Sequence, residues 1–236
     1  MEKEHGTEKK TGSKLEKLRT AWEDEKFQAE HAAARDIVVR LLRELNGFYI
    51  VKTGHGFLRF VESRMKTPES ICEKLERKGY TQDFETAVEK LNDLSGVRCI
   101  CYSVKEIYWV ARQIGNDSRF TVLKAKDYIR KPKKNGYESY HIVLEVTVPA
   151  ELVGEKQAGK SGKRPRQADK TRKVRVELQL RTMIMDAWAG MDNRVSYKRE
   201  KEISPEMTKR IEKYAKIGRR LDKLIQRTLE EEVVDL

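Results

Sequence analysis

The chain has 236 residues, 38% of them hydrophobic, enough for one good-sized core with peripheral helices. Lys and Arg outnumber Asp and Glu by 50 to 38, a formal charge of +12, so the surface should attract polyanions such as nucleotides, RNA or acidic lipid. Three cysteines without a CxxC pair exclude a disulfide framework and a Cys-rich zinc site, and no apolar run reaches the roughly 18–20 residues of a membrane span, so a cytoplasmic protein with no membrane partner is expected.

Residues 1–14 are polar and expected to be disordered. From Leu15 to Leu45 the residues Trp22, Phe27, Ile37, Val38, Leu41, Leu42 and Leu45 recur mostly at steps of three and four, which predicts an amphipathic helix with Asn46-Gly47 as its stop. Gly56 to Lys66 reads as an imperfect strand. Thr67-Pro68-Glu69 then supplies an N-cap, a first-turn proline and an early acid for a helix from Pro68 to Lys78, ended by Gly79. A short helix over Asp83 to Asn92 leads into a central strand, where Val97, Cys99 and Cys101 point one way and Arg98 and Ile100 the other.

A helix over Val104 to Ile114 and a strand over Phe120 to Ile129 follow. After the turn Lys131 to Gly136 come two strong strands, His141 to Val148 and Val174 to Leu180. Between them residues 150–173 are rich in Gly, Lys and Arg and read as a flexible basic loop. Met183 to Tyr197 and Pro205 to Leu229 suit helices. Strands and helices are interspersed without βαβ regularity, so the fold class is α+β with a mixed sheet.

Four segments carry chemistry. In the first, Arg64 and Lys66 precede a helix on which Ser70, Lys74 and Arg77 share one face near an N-terminus, a place for a triphosphate. Alone it reads better as a solvated basic face. In the second, Asp93 stands at the entrance to an apolar strand, where a carboxylate can hold Mg²⁺ through its own oxygens while substrate phosphates complete the shell, with Arg98 able to stack on a base; an ordinary turn before a core strand is the plain alternative. The third, Lys126 to His141, crowds Lys126, Lys133, Tyr137 and His141 around the Asn135-Gly136 turn, as a stacking platform with cations or as a basic loop with a core tyrosine. In the fourth, Glu177, Gln179 and Arg181 share one strand face while Val176, Leu178 and Leu180 share the other. That pattern also suits a half-solvated sheet.

In this order the four segments, over about residues 40–200, resemble the synthetase domain of the RelA/SpoT family, and the chain's size resembles its small alarmone synthetases. The resemblance implies a mixed sheet flanked by helices, similar to nucleotidyltransferases, with long N- and C-terminal helices. It implies a synthetase domain over residues 15–200 and a C-terminal helical region over 201–236 that joins copies into a homotetramer. The implied reaction moves the diphosphate of ATP to the 3′-hydroxyl of GTP or GDP.

By the same resemblance Arg64 and Arg98 sandwich adenine, and Lys66, Ser70, Lys74 and Arg77 meet the ATP phosphates. Asp93 and Glu177 hold Mg²⁺, with Glu177 also the general base. Tyr137 stacks on guanine, Lys126, Lys133 and His141 meet the acceptor phosphates, and Gln179 positions the acceptor. Where many short members carry Asn, this chain has Asp186, whose carboxylate could accept from guanine N1–H and N2–H₂. No histidine is followed by Asp in an HD pair, so synthesis without hydrolysis is expected. Two other readings stay open: a toxin-like member acting on adenine nucleotides or tRNA, and a non-catalytic RNA-binding module.

Overall fold

The computed structural model describes residues 14–153, 171–197 and 204–231. Along the chain run α1 (14–22), α2 (Glu25–Thr53), β1 (Leu58–Met65), α3 (Pro68–Arg77), α4 (Phe84–Lys90), β2 (Ser95–Cys101) and α5 (Val104–Gly115). Then come β3 (Phe120–Asp127), β4 (Tyr140–Pro149), a 3₁₀ turn (Ala150–Val153), β5 (Thr171–Thr182), α6 (Met183–Tyr197) and α7 (Pro205–Glu231). The five strands form one mixed sheet in the order β1-β2-β5-β4-β3, in which only β2 and β5 run parallel.

Period-two alternation decides which side of the sheet is dry. Val97, Cys99 and Cys101 of β2, Val176, Leu178 and Leu180 of β5, and Ile142, Leu144 and Val146 of β4 are buried in one core. Ala34, Val38, Leu41 and Leu42 of α2 and Ile107, Val110 and Ile114 of α5 belong to the same core. The opposite residues of these strands, Arg98, Glu177, Gln179 and His141, face a cleft. A second cluster of Leu18, Trp22, Ile71, Leu75, Ala87, Leu91 and Leu94 joins α1, α3 and α4 beside that cleft.

The long N-terminal helix departs from the expected bounds twice. It breaks at Asp24, whose carboxylate caps α2 by accepting from Phe27 N at 2.7 Å. It also runs through Asn46-Gly47, because Asn46 Oδ1 accepts from Leu58 N at 2.9 Å and ties the helix to β1 instead of turning the chain. The stop is Gly54, left-handed at φ 81°. Strand β3 ends two residues early, where Asp127 Oδ1 accepts from Ile129 N and Arg130 N at 2.9 Å each. The basic loop is narrower than expected, since residues 150–153 form the 3₁₀ turn and 171–173 belong to β5. The disorder expected of residues 1–14 falls, apart from residue 14 in α1, outside the described residues, as do 154–170 of the loop.

Helix α7 seats on the loop before β4. Arg219 Nη1 donates to Glu138 Oε1 at 2.6 Å, and Thr182 Oγ1 donates to Asp222 Oδ2 at 3.0 Å. At φ 88° Gly136 leaves no room for a side chain, because an added Cβ would lie 2.5 Å from Ala215 Cβ of α7. Gly136→Ala is therefore expected to cost about 2–4 kcal/mol, from left-handed strain plus overpacking. Urea denaturation measures this; an unchanged midpoint would contradict the seating of α7 on the turn.

Candidate active site

The cleft of about 470 Å³ lies within the roughly 300–1,000 Å³ of small-molecule sites. Strand register builds its floor as two transverse rows. One runs Arg64, Gly96, Glu177, Val143, Lys124; the other runs Glu62, Arg98, Gln179, His141, Lys126. Gly96 puts no side chain between Arg64 and Glu177. Arg64 and Arg98 thus lie on the β1/β2 side, Lys126 on the β3 side, and Glu177 between them.

Asp93, two residues before β2, is largely buried and also lines the cleft. Its Oδ2 accepts from Lys74 Nζ at 2.6 Å and from Lys66 Nζ at 3.4 Å. Burial pushes its carboxyl up, but the two lysines outweigh that and hold it below the usual carboxylate value. Oδ1 is buried without a hydrogen-bond partner. Glu177 is set likewise: burial raises it, yet His141 and Gln179 bring it below the usual value, while the charge of Asp93 acts in the opposite direction. The two acids sense each other across the cleft floor.

A hydrogen-bonded chain fixes the β4/β5 part of the cleft. Arg181 Nη2 donates to Tyr137 Oη at 2.9 Å; Tyr137 Oη and His141 Nε2 are 2.7 Å apart; His141 Nδ1 and Glu177 Oε1 are 3.3 Å apart. The imidazole thus bridges the phenol and the carboxylate, with Nδ1 facing an acceptor-only oxygen of Glu177 and Nε2 sharing a hydrogen bond with Tyr137 Oη. Gln179 Nε2 donates to Glu177 Oε2 at 2.8 Å, and Gln179 Oε1 accepts from Arg181 Nη2 at 2.8 Å. Lys133 Nζ lies 4.4 Å from the Tyr137 ring centroid, within cation–π range.

Of the residues expected from sequence, Arg64, Lys74, Asp93, Arg98, Lys126, Lys133, Tyr137, His141, Glu177 and Gln179 line this one cleft. Lys66 reaches it through Asp93. Ser70 and Arg77 are not among the lining residues. The Ser70 hydroxyl accepts from Thr67 Oγ1 at 3.2 Å at the α3 N-terminus, and Lys78, one residue beyond Arg77, lines the cleft instead. Asp186 is not among the lining residues either. Its Oδ1 accepts from Arg181 Nη1 at 2.9 Å and lies 3.6 Å from Arg98 Nε, so it serves as counter-ion to two guanidiniums. Sequence reasoning put Arg181 on the same face as Glu177 and Gln179 but gave it no role, whereas it is only 4% exposed and sits at the centre of this network. It missed Lys124, Tyr128, Asp192 and Asn193. The signal for the last two was helical spacing from Ala189 on α6.

Comparison with known proteins places the cleft in context. Residues 63–202 match the family described as a region found in RelA/SpoT proteins. The GTP pyrophosphokinase YwaC of Bacillus subtilis is 30% identical over 209 residues, covering 88% of this chain and 91% of that protein. GTP pyrophosphokinase YjbM of the same organism is 30% identical over 199 residues, 84% of each. The solved structure of small alarmone synthetase 1 from Bacillus subtilis bound to its product pppGpp superimposes with a TM-score of 0.72 at 26% identity, over 89% of this chain and 98% of that one.

The lysine pair on Asp93 has a measurable signature. Lys74→Met removes the shorter contact and should cost about 1.5–3 kcal/mol at neutral pH, the scale of a charged hydrogen bond. Because the folded Asp93 pKa is depressed, its stabilisation is full above the unfolded value of about 4 and is lost as pH falls below it. Urea denaturation of both proteins should show a gap that is constant from pH 7 to about 5 and narrows below about 4. A gap independent of pH would contradict the pairing.

Proposed function

The chain belongs to the RelA/SpoT family, and on that premise we propose that it is a GTP pyrophosphokinase, moving the β,γ-diphosphate of ATP onto the 3′-hydroxyl of GTP or GDP to yield (p)ppGpp and AMP, by synthesis only. The observation that carries this reading is that Asp93, just before β2, and Glu177, on β5, line one cleft with cationic groups on both sides. Arg64 and Arg98 on the β1/β2 side are the proposed adenine clamp, with Lys66 and Lys74 toward the ATP phosphates. On the other side Lys126 and Lys133 are proposed for the acceptor phosphates and Tyr137 for the guanine face. The Tyr137 ring is already oriented by Arg181 and His141.

Glu177, ionised at neutral pH, accepts the proton of the 3′-hydroxyl as that oxygen attacks the β-phosphorus of ATP in line. A bond forms from the 3′-oxygen to the β-phosphorus. The bond from the β-phosphorus to the bridging oxygen breaks, and AMP departs with that oxygen. Gln179 and His141 orient Glu177 by donating to one carboxylate oxygen each. Lys66 and Lys74 hold Asp93 ionised.

The donor set suits a hard divalent cation. Among the described residues no three His, Cys, Asp or Glu side chains group into a cage. Asp93 nevertheless offers a buried, unpartnered Oδ1 and Glu177 a second carboxylate, a combination that fits Mg²⁺ with water and phosphate oxygens as its other ligands. When bound there, Mg²⁺ supplies neutralisation of charge on the transferred phosphoryl oxygens.

Oligomerisation through terminal helices is proposed on the apolar residues left outside the core. Tyr214, Ile217, Leu221 and Leu224 form an exposed stripe along α7, and Phe48, Ile50 and Val51 are exposed on α2. No helix among the described residues is long and apolar enough to cross a membrane.

Purified protein incubated with β-labelled ATP, Mg²⁺ and GTP, GDP, ATP or tRNA tests the reading. Label is expected on GTP and GDP alone; label on ATP or tRNA would assign a different acceptor, and none on any acceptor would refute the enzyme reading. Glu177→Gln should lower transfer by about 10²–10⁴-fold, the range of general base catalysis, with ATP and GTP binding retained by calorimetry. Retained turnover would refute the assigned base.

A further inference from the structure

Asp93 sits on no regular element: it lies in the connector between α4 and β2, whereas Glu177 lies within β5. Its bonds to Lys66 and Lys74 tie it toward β1 and α3, and neither lysine comes from β5. Arg175, two residues before Glu177 on the same strand face, reaches that connector. Its register partner Glu145 accepts from Lys173 Nζ at 2.6 Å, and the Arg175 guanidinium donates elsewhere. Nη1 donates to Glu89 O at 3.1 Å and to Asn92 Oδ1 at 2.9 Å, and Nη2 donates to Val88 O. Val88 and Glu89 belong to the last turn of α4, whose carbonyls lack intrahelical donors, and Asn92 immediately precedes Asp93.

We propose that Arg175 is a positioning residue for the transfer: it clamps the end of α4 and Asn92 to β5 and so sets Asp93 against Glu177. This role rests on the pyrophosphokinase reading above. Arg175 does not line the cleft, so it acts on the reaction through Asn92 and Asp93, which do. A planar guanidinium with five N–H groups spans three acceptors at once; a lysine here could not hold them in one geometry. Because the clamp and the proposed base are neighbours on one face of β5, a movement of that strand carries Asp93 with Glu177 rather than parting them. Lys66 and Lys74 give Asp93 its charge, and Arg175 gives it its place.

Steady-state transfer from ATP to GTP by wild type, Arg175→Met, Arg175→Lys, Asn92→Ala and the variant carrying both Arg175→Met and Asn92→Ala tests the role, with folding followed by urea denaturation. Arg175→Met should lower kcat about ten- to a hundredfold, the cost of a misplacement of up to about 1 Å, with KM for GTP within about twofold of wild type. Arg175→Lys, which keeps the charge without the fork, should stay within about threefold of Arg175→Met. Asn92→Ala should lower kcat about three- to tenfold alone and add nothing to Arg175→Met, because both remove one tie. Calorimetry gives a readout apart from turnover: Mg²⁺ should strengthen binding of a non-hydrolysable ATP analogue less in Arg175→Met than in wild type, with binding of the analogue alone unchanged. Wild-type kcat in Arg175→Met or Arg175→Lys, a loss confined to KM for GTP, or independent losses in the double variant overturns the role. If Arg175→Met does not fold, Asn92→Ala decides: the expected fall in kcat at unchanged KM for GTP supports the role, and wild-type kcat overturns it. A wild type that transfers to no guanosine nucleotide overturns the pyrophosphokinase reading itself, an outcome distinct from the others.

Discussion

Parallel pairing of β2 on β5 sets Gly96 opposite Glu177 and Arg98 opposite Gln179, and the rest of the candidate site follows from that register. Antiparallel β4 and β3 extend the two rows to His141, Lys124 and Lys126. The register is held by burial rather than by the polar groups. Val176, Leu178 and Leu180 pack against the core that α2 and α5 complete, and a slip of one residue would carry Leu178 into the cleft and Glu177 into that core. Each buried aliphatic side chain contributes about 1.5–3 kcal/mol, which is ample to fix which face is wet.

Once the face is fixed, charge decides how the cleft behaves. It collects a dense set of cations, in keeping with the +12 of the whole chain, around two largely buried carboxylates. Unpaired, these acids would protonate on burial. Lys66 and Lys74 prevent this for Asp93, and His141 with Gln179 does so for Glu177. Both acids are kept ionised by charge and hydrogen bonds together, from two lysines on one and from an imidazole and an amide on the other. Asp186 balances Arg181 and Arg98, so one half-buried counter-ion ties a guanidinium of β5 to one of β2.

Much of this was legible in the sequence wherever a period of two or a cap governed. Arg98 among cysteines, the alternation from Val176 to Arg181, and Thr67-Pro68-Glu69 before α3 each imply a direction for a side chain, and the directions are those found. Local signals failed where a distant partner overrides them. Asn46-Gly47 does not stop α2, because Leu58 N claims the Asn46 side chain. Ser70 and Arg77 share a helix face with Lys74, but the cleft is lined there by Lys74 and by Lys78 past the helix end, and the Ser70 hydroxyl is taken up at the helix cap. The partners of Asp186 come from two strands, which no spacing within α6 could reveal. Arg181 was visible as a strand residue, while its place as a hub depends on Tyr137 returning from the Gly136 turn beneath α7.

The most direct measurement is the structure of a ternary complex with a non-hydrolysable ATP analogue and GTP. The account predicts the 3′-oxygen of GTP within about 2.6–3.2 Å of a Glu177 carboxylate oxygen, the reach of a general base, and in line with the β-phosphorus on the Asp93 side of the cleft. A GTP bound with its 3′-oxygen turned away from Glu177, or a triphosphate of the analogue lying remote from Asp93, would contradict it.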